Sequence, residues 1–276
     1  MAISTNSILH FTRSRNSLKK ILNGFFDTYY CLEIFRLNGA EYRLGIPMIS
    51  FCDIPISHIT SHTEKYGNYG IGLSKEWAES NGINPVLYLE EYSSSTRLIE
   101  PLIRDVIEND PYGNFRTFLI WETKDNIATP KDIVDRERDL KINAVVGQLS
   151  FIKNYKGELK RKGRIGIQYR FYDEREWRYV PVASTMSDDS PLFLPILTKN
   201  EYDGQRGISS LKKEFIKGGG LKFESKDIEY IFVKKESEIP IFIKAIRKSK
   251  NIYKNNDDLD LLISKILSIE RIKNDF

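Results

Sequence analysis

The spacing of apolar positions changes several times along the first hundred residues, and each change marks an element. Ile8 to Thr12 is a short apolar run that predicts a strand. Leu18, Ile21, Leu22 and Phe25 then recur at the spacing of one helical face, with Ser14 or Asn16 near the start and Gly24 at the end. After a connection at Asn38-Gly39, Ile46 to Cys52 predicts a second strand, and Pro55 opens a helical segment toward Tyr66. Ser74 caps a short helix through Trp77 that Asn81-Gly82 stops, before a strand from Pro85 to Leu89.

Further on, Leu98, Leu102 and Val106 predict an amphipathic helix from Thr96 to Asn109. Arg116 to Trp121 reads as a strand, and Thr129-Pro130 as a helix start. The polar stretch from Lys153 to Arg164 reads as an exposed loop or hairpin tip, and Glu176 to Val182 as a strand. Gly218 to Gly220 breaks a helix ahead of Leu221-Lys222-Phe223, and Tyr230 to Val233 is another strand. Two helices are expected to close the chain, Glu238 to Ser249 and Asp257 to Ile272, with Asn251 to Asp258 as a linker. The irregular mixture implies an α+β fold: one domain over residues 1–250, then a linker and C-terminal helix over 251–276.

Composition narrows the class. A chain of 276 residues, 41% hydrophobic, can bury a sizeable core. Its 42 basic and 38 acidic residues leave a net charge of +4, too small to demand a nucleic-acid partner. Cys31 and Cys52 are too few for a disulfide scaffold or a Cys-based zinc site. No apolar run approaches a signal peptide or a spanning helix, so a cytoplasmic protein without a membrane partner is expected.

Four short blocks carry the candidate chemistry: His10-Phe11-Thr12, Ser50-Phe51-Cys52-Asp53, Tyr66-Gly67-Asn68-Tyr69-Gly70 and Glu174-Arg175-Glu176-Trp177-Arg178. Together they suit a split site for NAD as a substrate. Cleavage between nicotinamide and its ribose develops a cationic sugar, which a fixed carboxylate stabilises more in the transition state than in the ground state. An aromatic ring can stack on nicotinamide, while a histidine and a neighbouring hydroxyl hold a ribose. Alternation along a strand puts Glu174, Glu176 and Arg178 on one face, with Arg175, Trp177 and Tyr179 on the other. Each block also has a purely structural reading. His10 could be a core histidine, Phe51 and Cys52 packing residues, and Asp53 a helix cap. The tyrosines could form a turn cluster beside glycines, and the glutamates could be charges on an exposed strand edge.

Other constellations are weaker. His58 and His62 are four apart on an expected helix with His10 available nearby, but Ile59-Thr60-Ser61 lacks the glutamate of a zinc-protease motif, and no metal is expected. Lys153, Lys156, Lys160, Arg161, Lys162 and Arg164 could track a phosphate backbone, although a charged loop is more often only solvated. Gly218 to Gly220 lacks the spacing of a phosphate loop.

The runs HFTRSRNSLKKIL, IPMISFCDIPISHITSHTEKYGNYGIGLSKEWAESNGINPVLYLEEY and FYDEREWRYVP resemble the AbiGi family of bacterial abortive-infection, phage-resistance proteins. That family carries an antitoxin label. The blocks more distantly resemble the ADP-ribosyltransferase fold, a mixed sheet flanked by helices. This second resemblance implies Glu176 as the catalytic carboxylate and Glu174 as its partner toward the acceptor. It also implies that His10, Thr12 and Ser50 bind NAD and that Tyr66, or else Tyr69, stacks on nicotinamide. The spacing from Ser50 to Tyr66 is longer than in the polymerases of that fold. The expected function is an anti-phage ADP-ribosyltransferase or NAD hydrolase acting on a macromolecule, with a phage protein or nucleic acid as acceptor. Its rival is a non-catalytic binding module that neutralises a partner toxin or senses a phage component; in either role the chain would have a cognate toxin or antitoxin partner.

Overall fold

The computed structural model describes residues 4–108, 144–145, 147–158, 160–161, 164–165, 168–183, 192–193, 196–203, 220–249 and 251–275. The expected strand at Arg116 to Trp121, the helix start at Thr129-Pro130, Lys162, and Gly218-Gly219 lie outside them.

In chain order the first elements are β1 (Ser7–Thr12), α1 (Arg15–Ile21), β2 (Phe25–Phe26), β3 (Tyr29–Leu37) and β4 (Ala40–Cys52). A 3-10 turn, Ile56–His58, leads into α2 (Ile59–Tyr66), followed by β5 (Tyr69–Ser74), α3 (Lys75–Ser80), β6 (Asn84–Pro85), β7 (Leu87–Leu89) and α4 (Ser94–Glu108). The later strands are β8 (Ile152–Asn154), β9 (Lys160–Arg161), β10 (Arg164–Ile165), β11 (Glu176–Tyr179), β12 (Val182–Ala183), β13 (Leu192–Phe193), β14 (Leu197–Thr198), β15 (Leu221–Lys222), β16 (Ile228–Val233) and β17 (Ile266–Ser268). Helices Ile239–Lys248, Asn256–Ser264 and Ile269–Asp275 complete the C-terminal part.

Local signals explain much of this. Ser14 and Ser74 accept from the backbone N–H groups of Ser17 and Trp77, so Ser14 rather than Asn16 caps the first helix and the cap expected at Ser74 forms. Asn38 and Gly39 have φ of 50° and 83°, the left-handed pair that a tight hairpin requires, and they join β3 to β4 in register from Leu37↔Ala40 to Tyr29↔Met48. The connection expected at Asn38-Gly39 is therefore the tip of a hairpin whose first strand was not expected.

The central sheet runs β17-β16-β5-β1-β4-β11-β6, with β3 and β14 also on β4. All its pairings are antiparallel except β16 with β17. One face packs Leu18, Ile21 and Trp77 against Phe242, Ile246 and Leu262; the other packs Phe11, Ile59 and Phe232 against Ile269 and Ile272. The first half of β4 enters another cluster with Leu89, Ile103 and Ile152. A mixed α+β sheet is thus established.

Three expectations change. The helix expected over Asp257 to Ile272 is interrupted by β17, and Ile252, Leu262 and Ile266 enter the main core, so 251–276 is not simply a linker and helix. In α4, Leu98 and Leu102 are exposed while Ile103 is buried. The inward face is instead Ile99 and Ile103, with buried Thr96 and Glu100 beside them and the Glu100 carboxylate bound by Tyr42 and Arg104, so the apolar stripe is rotated from the expected one and carries an acidic position. Within the supposed loop from Lys153 to Arg164, Lys153 and Asn154 lie in β8 beside β7, while β9 and β10 do form a hairpin pairing.

Leu262 is fully buried in the main core, so Leu262→Ala should lower global stability by about 2–5 kcal/mol. Denaturant unfolding checks this; an unchanged midpoint would mean that the C-terminal helices do not share the cooperative unit.

Candidate functional site

The cleft originates in a gap beside β4. β1 meets β4 at Leu9↔Cys52, whereas β3 pairs with it only as far as Tyr29↔Met48. Between them, β4 lacks a strand partner on that edge. A strand edge leaves backbone groups to be satisfied by other means. The Ser50 carbonyl is satisfied by the His10 imidazole, with Nδ1 2.9 Å away. A carbonyl can only accept, so Nδ1 carries the proton and donates.

A cavity of about 590 Å³ opens at this gap, within the range of small-molecule sites. His10, Thr12, Ser50, Tyr66, Glu174 and Glu176 all line it. Tyr69 does not. Its ring packs against Phe242 in the main core and its hydroxyl donates to Glu238. Tyr66 stacks on His62, with ring centroids 4.2 Å apart, and its hydroxyl donates to Glu174 at 2.5 Å. The flanking glycines admit neighbouring backbone rather than a ligand. A Cβ on Gly67, at φ 122°, would sit 2.3 Å from the Thr12 carbonyl oxygen, and one on Gly70 would meet Phe11 and the His10 carbonyl.

The two glutamates converge by a route other than shared strand alternation. Glu174 ends a 3-10 turn, Arg175 adopts a left-handed φ of 45°, and the strand begins at Glu176. Neither carboxylate lies on an exposed edge: Glu174 and Glu176 are buried, and Arg178 has no exposed surface. Glu176 Oε1 accepts from the Ser50 hydroxyl at 2.9 Å and from Arg178 Nε at 2.7 Å, and Oε2 accepts from Lys153 Nζ at 2.5 Å. Its backbone N–H donates to the Tyr88 hydroxyl at 2.8 Å. Arg178 also donates to Glu33 and to the Ser150 carbonyl, each at 2.8 Å. Arg178 therefore pairs with Glu176 and Glu33, not with Glu174.

These contacts set the charges. Burial by itself pushes the Glu176 carboxyl upward, but Arg178 and Lys153 more than reverse this and hold it well below the usual carboxylate range. Burial pulls the Lys153 ammonium down, yet Glu176 and Glu33 outweigh it and the net shift is upward. Burial lowers His10 against the opposing effect of the Ser50 carbonyl, so the ring is neutral at pH 7. Burial and Glu33 push the Cys31 thiol up to about 11, which keeps this cleft-lining group protonated. Three carboxylates around two cations give the cluster a net negative balance.

In the sequence Lys153 belongs to a basic stretch that reads as solvated, and neither Glu33 nor Tyr88 falls in one of the four candidate blocks. Only the Asn-Gly hairpin signal, by revealing β3, would have drawn Glu33 toward the sheet. Asp53 accepts from Ser4, Thr5 and Lys75, so it anchors the N-terminal segment instead of capping the following turn. His58 bonds to Ser57 outside the cleft, and among the described residues no cluster of His, Cys, Asp and Glu is arranged to hold a metal. No helix among them is long and apolar enough to cross a membrane.

A family model described as "Putative abortive phage resistance protein AbiGi, antitoxin" matches residues 28–234, and so encloses β3, β4, β11 and most of the cleft. The chain belongs to the AbiGi family. It is also 30% identical over 267 residues to the "Abortive phage resistance protein AbiGi" of Lactococcus lactis subsp. cremoris, covering 91% of this chain and 99% of the relative. No solved structure matches the chain. Family membership supports an anti-phage role, and the antitoxin description is consistent with a toxin partner.

The charge network predicts a pH dependence. Both Glu176 and His10 have folded-state pKa values below their unfolded values, so each binds fewer protons when folded. His10 contributes stability above its unfolded value that is lost as pH falls from about 6.5; Glu176 contributes stability above its own unfolded value that is lost as pH falls through the carboxylate range toward its depressed folded value. Thermal melts of the parent and Glu176→Gln should show a steeper acid decline in the parent. Parallel curves would mean that Glu176 is not held ionised.

Proposed function

We propose that this AbiGi-family protein acts against phage in the cytoplasm as an ADP-ribosyltransferase-like enzyme, cleaving NAD in the cleft beside β4. One observation carries the reading: Ser50 joins the two ends of the candidate site, its carbonyl accepting from His10 and its hydroxyl donating to Glu176. These residues are 40 and 126 positions from Ser50 and have no local reason to meet. Convergence of groups on one cavity is what chemistry on a single substrate requires.

In this reading His10 presents Nε2, which has no hydrogen-bond partner among the described residues, to a ribose hydroxyl with help from Thr12. Ser50 holds Glu176 in place, and the carboxylate stabilises the cationic ribosyl centre as nicotinamide leaves. Nicotinamide departs with the electrons of the broken C–N bond, and an acceptor nucleophile on a macromolecule, or water, forms the new bond to the sugar and releases its proton to solvent. Glu174 orients that acceptor, held by Tyr66 in the meantime. His62 covers one face of the Tyr66 ring, so Tyr66 contributes to the nicotinamide pocket less freely than the resemblance implies.

A second reading is a non-catalytic module that binds a partner toxin. It is supported by the cations already on both oxygens of Glu176 and by the antitoxin description of the family model. Incubation with isotopically labelled NAD, with and without lysate, separates the two. The enzyme yields free nicotinamide or labelled macromolecules; the binding module yields neither and instead co-purifies with a toxin.

Glu176→Gln should retain NAD binding while turnover falls by about two to three orders of magnitude. Glu174→Gln should reduce transfer to an acceptor more than hydrolysis. Because Glu176 is buried and ion-paired, its amide variant should also be less stable, so activity must be measured below the melting transition. Full phage protection by Glu176→Gln in a plaque assay would refute the catalytic role.

A further inference from the structure

Lys153 occupies an unusual position for a residue of a basic stretch. Its side chain lines the cleft, is only 13% exposed, and lies 2.5 Å from Glu176 and 3.8 Å from Glu174. The Phe171 ring centroid is 5.1 Å from the ammonium.

The two cations on Glu176 differ in freedom. Arg178 is fully buried, and its remaining nitrogens are committed to Glu33 and to the Ser150 and Ile152 carbonyls. Moving it would strand several buried groups. Lys153 has a flexible four-carbon stem and a point charge that needs no planar alignment. A short rotation would carry it from one carboxylate to the other with the backbone of β8 in place. Glu174 can receive it: Tyr66 donates to the other oxygen, Oε1, and Tyr169 also bonds this carboxylate, which still leaves acceptor capacity for an ammonium. The Phe171 face gives the ammonium a further favourable surface during the transfer.

We propose that Lys153 is a positioning residue that covers the cleft-facing oxygen of Glu176 at rest and passes to Glu174 when a ligand hydroxyl takes that oxygen. The inference rests on the NAD reading of the cleft. The resting protein therefore has a carboxylate neutralised from both sides, and ligand binding uncovers it. Affinity for NAD then includes the cost of moving Lys153, in the way that any partly populated competent state reduces apparent affinity.

The test measures NAD affinity calorimetrically on the full chain, using the parent, Lys153→Met, Lys153→Arg, Glu174→Gln and the Lys153→Met/Glu174→Gln double variant, with melting curves alongside. Removing the ammonium should tighten NAD binding about three- to tenfold, because the resting cover is gone. Lys153→Arg should weaken binding, because a planar fork can bridge both carboxylates at once. Glu174→Gln should weaken binding in the parent by removing the receiving charge, but should have little effect once Lys153 is Met. A merely structural ion pair predicts the opposite pattern: Arg preserves affinity and Met does not improve it.

Weaker or unchanged binding in Lys153→Met, or an equal effect of Glu174→Gln in both backgrounds, would overturn the proposal while leaving NAD binding intact. Absence of NAD binding in the parent would remove the underlying reading of the cleft, and the proposal with it. Should Lys153→Met fail to fold, Lys153→Arg decides: unchanged or tighter binding rejects the transfer.

Discussion

A guanidinium with no exposed surface must find acceptors within the protein, and Arg178 finds them in three separate parts of the chain. Glu176 comes from its own strand, Glu33 from β3, and the Ser150 and Ile152 carbonyls from the segment entering β8. Since β3 and β11 flank β4 on opposite edges, the Arg178 side chain reaches across the face of β4 to join them. The position of Lys153 follows from the same arrangement: fixing the backbone at 150–152 aims the next side chain at Glu176. A single buried cation thus organises both the second half of the sheet and one wall of the cleft.

The cleft also depends on the length of β4. A strand of 13 residues outlasts either neighbour on one edge, so β3 serves its beginning and β1 its end. The interval at Ser50 becomes an accessible backbone edge inside the molecule. His10 closes it chemically while the cavity remains beside it: the imidazole supplies the missing donor, and its second nitrogen has no hydrogen-bond partner among the described residues. A similar economy holds at Tyr66, which ends α2, stacks on His62 and restrains Glu174.

Membership of the AbiGi family gives this arrangement a phage-defence setting, and the electrostatics give it a resting character. Glu176 is ionised yet almost fully engaged. Carboxylates accept about four hydrogen bonds, and Ser50, Arg178 and Lys153 take three. Such a group is strongly oriented but has little capacity left for a ligand until a partner moves.

The sequence by itself determined those elements whose causes are local. The Ser14 and Ser74 caps, the apolar runs of β1 and β16, and the helix ending at Tyr66-Gly67 depend on residues within a few positions of one another, and all were legible. So was the gathering of His10, Ser50, Tyr66 and the two glutamates at one cavity, which the resemblance implied and the sheet order achieves. The local signal for β3 is confined to the Asn38-Gly39 turn. What only the tertiary structure decided was pairing at long range: β17 beside β16, Tyr69 in the core, the buried Glu100 on the inward face of α4, and the inward turn of Lys153. Arg178 and Glu33 are separated by 145 positions. Periodicity cannot encode such a contact, because a charged side chain has the same local pattern whether it meets water or a buried counter-ion. The difference lies in which distant strand removes the water.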